Sequence, residues 1–167
     1  MLGAAAQDAE DAVLRLPLGP AALRGKTLAV TPGVTFAAAK GKAVTFDRMI
    51  GSLKKSRLVY VGETHDSLPM HDVQAAVIEA LAAVVPKLSI GLEMLPVGFQ
   101  PVLDRWSRGE LSEDELIRET RWYLTWNFNF GYYRRIFLFA KDNGIPIYGL
   151  NSPRENVSTV RMKGWDA

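Results

Sequence analysis

Three short apolar runs constrain the fold of this chain more than any other feature. They lie at residues 57–62, 88–93 and 145–150, and each is almost continuous rather than alternating. Continuous runs of this length are typical of parallel strands covered on both faces, whereas a strand with one solvent face alternates apolar and polar residues. The sequence therefore predicts three buried parallel strands.

The segment between the first two runs has the periodicity of a helix. Val73, Val77, Leu81 and Val84 recur at i, i+4, i+8 and i+11, and Pro69 suits the first turn of the helix. Strand, helix and strand then form one βαβ unit, for which a right-handed connection is the rule.

The second and third runs are separated by a stretch much longer than the dozen or so residues that a parallel crossover needs. Apolar spacing predicts one helix over 99–106, ending at Gly109, and another over 133–140, ending at Gly144. Residues 112–115 have the Ser-x-x-Glu pattern of a capping box, which predicts a third helix between them. We expect these helices to form an extra layer.

Local signals predict further elements on either side of these strands. Residues 33–39 and 43–45 flank a turn in which Gly41 is free to take a positive φ, and they predict a hairpin. A short amphipathic helix is predicted to follow over 46–53. Beyond the third strand, Ser152 as N-cap and Pro153 at the first helical position predict the start of another helix.

Together these elements predict an α/β fold with a mostly parallel sheet, helices on both faces, an N-terminal hairpin and the extra helical layer. We expect residues 1–25 to form a weakly ordered leader and residues 26–167 to form a single α/β domain. The length of 167 residues and the 48% apolar content agree with one domain that has a sizeable core.

Composition excludes several functions. A formal net charge of +2 is too small to indicate nucleic-acid binding through bulk charge. The absence of cysteine excludes disulfides, thiolate metal sites and a cysteine nucleophile in this chain. No apolar run approaches the about 20 residues of a membrane helix, so we expect no membrane-spanning helix.

Polar side chains follow the predicted strands where the carboxyl ends of parallel strands meet. Glu63 and His65 follow the first strand, Glu93 ends the second and Asn151 follows the third. Ligands bind at this edge in open parallel sheets. Two carboxylates and an imidazole suit a divalent metal or acid/base chemistry; alternatively, these side chains are solvated or paired with one another.

His71 and Gln74 lie on one face of the predicted helix near its N-terminus, where free N–H groups bind anions. A lone histidine at such a position serves a ligand or is purely structural, and both interpretations stay open.

An aromatic segment at residues 122–133 holds seven aromatic residues in twelve and is followed by Arg134 and Arg135. Such a density of aromatic residues suits the floor of a binding site for a large flat ligand, with a tyrosine as iron ligand and an arginine near a propionate. The alternative is a hydrophobic layer beneath the extra helices, which the pattern alone favours.

An ordered series of motifs resembles the ChaN family of haem-binding lipoproteins, in a superfamily with the Tiki metalloproteases and erythromycin-esterase-like hydrolases. The resemblance runs from about residue 34 to residue 164. It is carried by residues 58–66, His71, Gln74, 91–94, 100–106, Trp126, 133–140 and 149–154.

The resemblance implies an α/β fold, a role in bacterial iron or haem uptake, and haem bound at a homodimer interface by a tyrosine with help from histidine. Here it implies haem-binding candidates among Tyr123, Tyr132, Tyr133, His65, His71 and Arg134. It also implies a periplasmic or outer-membrane location, with membrane association only through a lipid anchor, for which this chain has no cysteine.

The hydrolase relatives imply the alternative, a metal-dependent hydrolase that uses Glu63, His65 and Glu93 to hold a divalent metal ion. We expect haem binding rather than catalysis. The family's later Gly-x-Gly-His motif is absent, so the resemblance implies an incomplete family domain.

Overall fold

The computed structural model describes residues 14–17, 27–31 and 33–165. The chain divides into two compact units, Met1–Arg57 and Leu58–Ala167. The predicted domain boundary near residue 26 stays a prediction.

The N-terminal unit contains two antiparallel strand pairs and a helix. Strand β1 (Leu14–Pro17) pairs with β2 (Thr27–Val30), and β3 (Phe36–Ala37) pairs with β4 (Lys42–Ala43) ahead of α1 (Phe46–Leu53). The hairpin predicted after residue 33 is therefore present but short, and Gly41 takes φ +59° in its turn. Of the predicted weakly ordered leader, only residues 14–17 are described, and they form a strand; the rest lies outside the described residues.

The C-terminal unit begins with a segment outside helices and strands and continues through helices and two strands. Its elements are α2 (Leu68–Ala82), β5 (Ile90–Pro96), α3 (Gln100–Ser107), α4 (Glu113–Glu119), α5 (Trp122–Thr125), α6 (Arg134–Asp142), β6 (Ile147–Asn151) and α7 (Arg154–Lys163). Strands β5 and β6 pair in parallel, and helices α3 to α6 lie between them in the chain. The α/β class and the extra helices between these strands are confirmed.

Helix ends in this unit follow the local signals in the sequence. The hydroxyl of Ser112 accepts a hydrogen bond from the amide of Glu115, and the Glu115 carboxylate accepts one from the Ser112 amide, which completes the capping box of α4. Gly109 and Gly144 take φ of +76° and +61° directly after helical segments. Both glycines sit where a side chain would strain the backbone.

The prediction of a first strand at residues 57–62 is wrong. None of its residues belongs to a strand pair in the described part of the chain, and the carbonyl of Val61 accepts a hydrogen bond from the Gln74 side chain instead. A buried central strand also requires covered side chains, yet Tyr60 is 88% exposed. The segment is unpaired, so the described parallel sheet has two strands rather than three.

Two smaller predictions also need correction. Helix α7 begins one residue later than predicted, with Pro153 rather than Ser152 as its N-cap residue. In α2, Val77 and Leu81 are buried as expected, but Val73 is exposed, and Val84 lies exposed beyond the end of the helix. Among the described residues, no helix is long and apolar enough to cross a membrane.

The core of the C-terminal unit is built from both strands and the inserted helices. Its fully buried large side chains include Leu95, Leu103, Trp106, Trp122, Tyr133 and Phe137. The indole N–H groups of Trp106 and Trp122 donate to the carbonyls of Phe137 and Phe128, at 2.9 and 2.7 Å. Burying an indole is favourable when its N–H has such a partner.

A side-chain amide covers part of one edge of β6. Gln100 donates to the carbonyl of Ile147 at 2.9 Å and accepts from the amide of Gly149 at 3.3 Å. Residues 147 and 149 are alternate residues of the strand, so the amide takes the two backbone groups that a neighbouring strand would take. These two backbone groups of β6 are therefore not open to another strand.

The other irregular feature of the sheet is a bulge in β5 opposite a glycine. Leu92 pairs with Gly149 but Pro96 pairs with Asn151, so β5 carries two more residues than β6 over this stretch. The extra backbone crowds Gly149: a Cβ there would lie 2.7 Å from the carbonyl oxygen of Pro96 and 2.8 Å from that of Leu95. A side chain at this position requires the backbone to move.

We expect Gly149→Ala to lower the free energy of unfolding of the C-terminal unit by about 1–3 kcal/mol, because overpacking forces backbone shifts. Urea denaturation followed by circular dichroism measures the change. Gly98→Ala is the matched control, since a Cβ at Gly98 meets no atom within 4 Å. If the two variants were equally stable, the close approach of the Leu95 and Pro96 carbonyls to Gly149 would be contradicted.

Candidate functional site

The carboxylate of Glu63 lies at the centre of a cluster in the C-terminal unit. It is only 8% exposed and follows the unpaired segment 57–62. One oxygen, Oε1, lies 2.7 Å from Nδ1 of His65 and accepts a hydrogen bond from the Tyr133 hydroxyl at 3.2 Å. The other oxygen, Oε2, lies 3.0 Å from Nε2 of His71. Two histidines and a tyrosine therefore converge on one buried carboxylate.

His71 is buried and fixed at both ring nitrogens. Nδ1 lies 3.1 Å from Oε1 of Gln74, and Nε2 lies 3.2 Å from the carbonyl oxygen of His65 as well as near Glu63. The direction of the Nε2–H bond fits the carbonyl, and Oε2 of Glu63 has no hydrogen bond among the described residues. The oxygen atoms of Gln74, His65 and Glu63 thus surround the ring of His71.

The Gln74 side chain connects this cluster to residues 57–62. Its amide nitrogen donates to the carbonyl of Val61 at 3.0 Å, which leaves its oxygen to face His71. The orientation of the amide is set by these two contacts. His71 and Gln74, predicted to share a helix face, thus have a structural role in holding the segment that carries Glu63.

Tyr133 closes the inner side of the cluster. Its side chain is completely buried, and its hydroxyl accepts from the indole N–H of Trp126 at 2.9 Å while donating to Glu63. Burial raises the pKa of the Tyr133 phenol well above its usual range, and the negative charges of Glu63 and Glu93 add to the rise, although the Trp126 hydrogen bond opposes it. The phenol is therefore held neutral.

His65 forms the outer side of the cluster. Its side chain is 39% exposed, and its ring meets the rings of Trp126 and Phe128 edge-on, with centroids 4.6 and 5.1 Å away. Trp126 and Phe128 are themselves only partly buried. One imidazole and two aromatic rings thus form a half-exposed surface above the buried carboxylate.

The structure does not support the predicted metal cluster of Glu63, His65 and Glu93. Within the described ranges, no group of three or more His, Cys, Asp or Glu side chains could hold a metal ion. Glu63 is occupied by His65, His71 and Tyr133, and the Glu93 side chain is exposed. Asn151 is also exposed and accepts a hydrogen bond from the neighbouring Ser152 amide.

The remaining predicted haem-binding residues lie in different environments. Tyr123 is 51% exposed on α5, whereas Tyr132 is partly buried and stacks on the His71 ring with centroids 5.5 Å apart. Arg134 is exposed and pairs with Glu113 at 2.7 Å. The structure thus brings His65, His71 and Tyr133 together around Glu63, and Tyr132 joins them through His71. The structure shows no contact of Tyr123 or Arg134 with that cluster.

Sequence reasoning missed how Tyr133, Trp126 and Phe128 take part in this cluster. Tyr133 reaches Glu63 across 70 positions of the chain. Neither periodicity nor spacing reports a contact at that separation. The one available signal was the aromatic density of residues 122–133, which does not distinguish inward from outward rings.

Replacing Tyr133 with phenylalanine tests the buried hydrogen bonds. We expect Tyr133→Phe to lower the free energy of unfolding by about 1–3 kcal/mol at neutral pH, because Glu63 and the Trp126 indole each lose a buried partner. Thermal or urea unfolding measures the loss. Tyr60→Phe, at a highly exposed position, is the matched control and should leave stability unchanged.

The raised pKa of Tyr133 also predicts how the free energy of unfolding changes at alkaline pH. In the unfolded chain a tyrosine has a pKa of about 10, whereas the folded protein keeps the Tyr133 proton to higher pH. The stability that Tyr133 contributes is therefore lost as pH rises above about 10. Stability of the unmodified protein should fall more steeply there than that of Tyr133→Phe. Parallel alkaline profiles would contradict the assignment.

Comparison with known proteins identifies the family of this chain. The chain is similar to a solved structure described as cofacial heme binding to ChaN of Campylobacter jejuni, with 22% identity and a TM-score of 0.66. The similarity covers 75% of this chain and 51% of that one, so the chain spans about half the length of that relative. At this identity it shows the fold alone.

No curated protein matches the chain by sequence. Residues 49–167, well over half of the chain, match the family described as haem-binding uptake, Tiki superfamily, ChaN. The chain therefore belongs to the ChaN family of the Tiki superfamily.

Proposed function

We propose that this protein binds haem and serves in bacterial haem or iron uptake. The observation that carries the proposal is the half-exposed surface of His65, Trp126 and Phe128, in a chain whose family is described as haem-binding uptake. The solved relative, described as binding haem cofacially, supports the same ligand.

The residues present fit the chemistry of haem. A porphyrin face requires apolar, preferably aromatic, surface, its iron requires a nitrogen or oxygen ligand, and its propionates favour arginine. Trp126 and Phe128 supply aromatic surface, His65 and Tyr123 are the exposed candidate ligands, and Arg134 is an exposed guanidinium. When bound, haem would supply the iron centre, and the chain would orient and shield it.

A binding role is better supported than a hydrolytic one. A catalytic metal ion needs about three protein ligands and an open position for water. The described residues offer no such group. The buried carboxylate instead fixes aromatic and imidazole rings, as a ligand-binding surface requires.

Association of two copies forms part of the proposal. Large apolar side chains are exposed in the C-terminal unit, among them Leu58, Tyr60, Leu124 and Leu150. Exposed apolar surface favours contact with a partner, and a second copy could enclose haem that one chain leaves half open. We further propose a periplasmic or outer-membrane location on the basis of the family.

Haemin titration of the purified protein tests the proposed ligand. We expect a saturable shift of the Soret band, with affinity about tenfold weaker in Phe128→Ala, because an aromatic contact contributes roughly 0.5–1.5 kcal/mol beyond area burial. The Phe128 carbonyl that accepts from Trp122 is retained in that variant. Val157→Ala, exposed on α7, is the control. The absence of a spectral change at micromolar haemin would contradict haem binding.

Light scattering tests the proposed dimer. We expect a dimer of the 18.5 kDa chain whose dissociation constant decreases when haemin is added, because a ligand bound across an interface stabilises that interface. A monomer at all concentrations, with and without haemin, would contradict association while leaving haem binding to the spectral test.

A further inference from the structure

We propose that two copies of this chain associate by packing the end of α7 from each copy against the outer face of the β5–β6 sheet of the other. The first surface, the open sheet face, consists of Gly91, Glu93, Tyr148 and Leu150. The second, the α7 end, consists of residues 161–165. The inference rests on the association of two copies in the proposed function and identifies the contact that produces it.

The two faces of the β5–β6 sheet differ in how they are covered. Along both strands buried and exposed residues alternate, and the paired residues Gly91 and Tyr148 are both exposed. Leu150 is 63% exposed, and its side chain lies across Gly91, where a Cβ would be 2.7 Å from Leu150 Cδ1. One face of the sheet therefore packs into the core, while the other presents apolar side chains that no described residue covers.

The composition of β6 indicates that the open sheet face has a partner. Residues 145–150 form an almost continuous apolar run, which is typical of parallel strands that are covered on both faces. In the structure Ile147 is buried, whereas Tyr148 and Leu150 are exposed. The strand thus has the apolar residues for a second covering layer without having that layer.

The α7 end is the second uncovered surface. Met162 is 75% exposed and Trp165 is 89% exposed, and the neighbouring Arg161 and Lys163 are also exposed. Neither cation forms an ion pair within the described residues. Tryptophan and arginine are among the residue types that contribute most to the affinity of protein interfaces. The α7 end therefore combines a large aromatic anchor with positive charge.

Charge makes the two surfaces complementary. Glu93 is the acidic residue of the open sheet face, and in the described part of the chain it forms no ion pair. The α7 end has two cations and no anion between residues 161 and 165. When the apolar side chains of the two surfaces meet, Glu93 faces Arg161 and Lys163. Opposite charges of this kind fix the register of an interface and disfavour other partners.

A second copy is the occupant that these surfaces favour. The α7 end does not cover the sheet of its own chain, because Leu150 and Trp165 are both exposed with α7 in place. Two-fold symmetry makes the contact twice, since each copy provides its own α7 end and receives that of the other. Pairing along the outer edge of β6 is blocked at residues 147 and 149 by Gln100. The face of the sheet, rather than that edge, is therefore the surface for association.

Charge reversal tests this contact in the full chain without haemin. We expect Glu93→Arg, and also the double variant Arg161→Glu with Lys163→Glu, to raise the dissociation constant of the dimer at least about tenfold, because like charges then oppose one another at both contacts. Sedimentation equilibrium measures the constant. Asp114→Arg, exposed on α4 and part of neither surface, makes the same change of charge as Glu93→Arg and should leave the constant unchanged.

Mixing the two charge-reversed proteins tests the pairing itself. In a mixed dimer the substituted sheet face meets the substituted α7 end, again with opposite charges, and the second contact keeps its original residues. We therefore expect the equimolar mixture to dimerise with the affinity of the unmodified protein, although neither variant does so alone. If the mixture does not recover, the pairing of the open sheet face with the α7 end is overturned.

Trp165→Ala tests the apolar part of the contact. We expect the dissociation constant of the dimer to rise at least about tenfold, because a buried tryptophan is a frequent energetic centre of an interface. Val157→Ala is the matched control, since Val157 is exposed on the same helix but lies five residues before Met162 and so on a different side of it. Circular dichroism checks that each variant is folded.

The failures of the two proposals are distinguishable. If the chain is dimeric and its dissociation constant is the same in Glu93→Arg and Trp165→Ala, the interface is overturned and association stands. A monomer at all concentrations, with and without haemin, overturns both the interface and association, and the haemin titration decides haem binding independently. If the chain stays monomeric and binds vesicles of anionic phospholipid through Trp165, the α7 end serves a lipid surface and the proposal is overturned.

Discussion

The C-terminal unit depends on one buried negative charge, the carboxylate of Glu63. A buried carboxylate is unfavourable unless hydrogen bonds and opposite charge compensate for the water that it loses. Here the compensation comes from three directions, with His65 from the turn after residues 57–62, His71 from α2 and Tyr133 from the start of α6. Satisfying one side chain therefore fixes three separate parts of the chain relative to one another.

Local patterns predicted the helices of this unit well because caps and periodicity act over a few residues. The capping box at Ser112 and the glycines at 109 and 144 mark helix ends where they were expected. The strand predicted at residues 57–62 failed for the opposite reason. An apolar run reports burial potential, whereas a strand also needs a neighbour, and the Val61 carbonyl bonds to a side chain instead.

The candidate site was predictable in part. Alternation along an extended chain placed Glu63 and His65 on the same side, and they form a 2.7 Å contact. The grouping with Glu93 assumed three aligned strand ends, and with the first strand unpaired it lost its basis. Tertiary packing decides that Tyr133 is buried and that Trp126 and Phe128 stay partly exposed. One aromatic segment therefore supplies both a layer of the core and part of the surface.

Gly149 and the bulge of β5 are coupled by close backbone contact. Two additional residues fit into one strand only because the facing strand omits a side chain there, since the carbonyls of Leu95 and Pro96 occupy that volume. We therefore expect the length of β5 and the residue facing the bulge to change together among relatives of this chain. A relative whose β5 lacks the extra residues is free of the requirement for glycine, whereas one that keeps them is not.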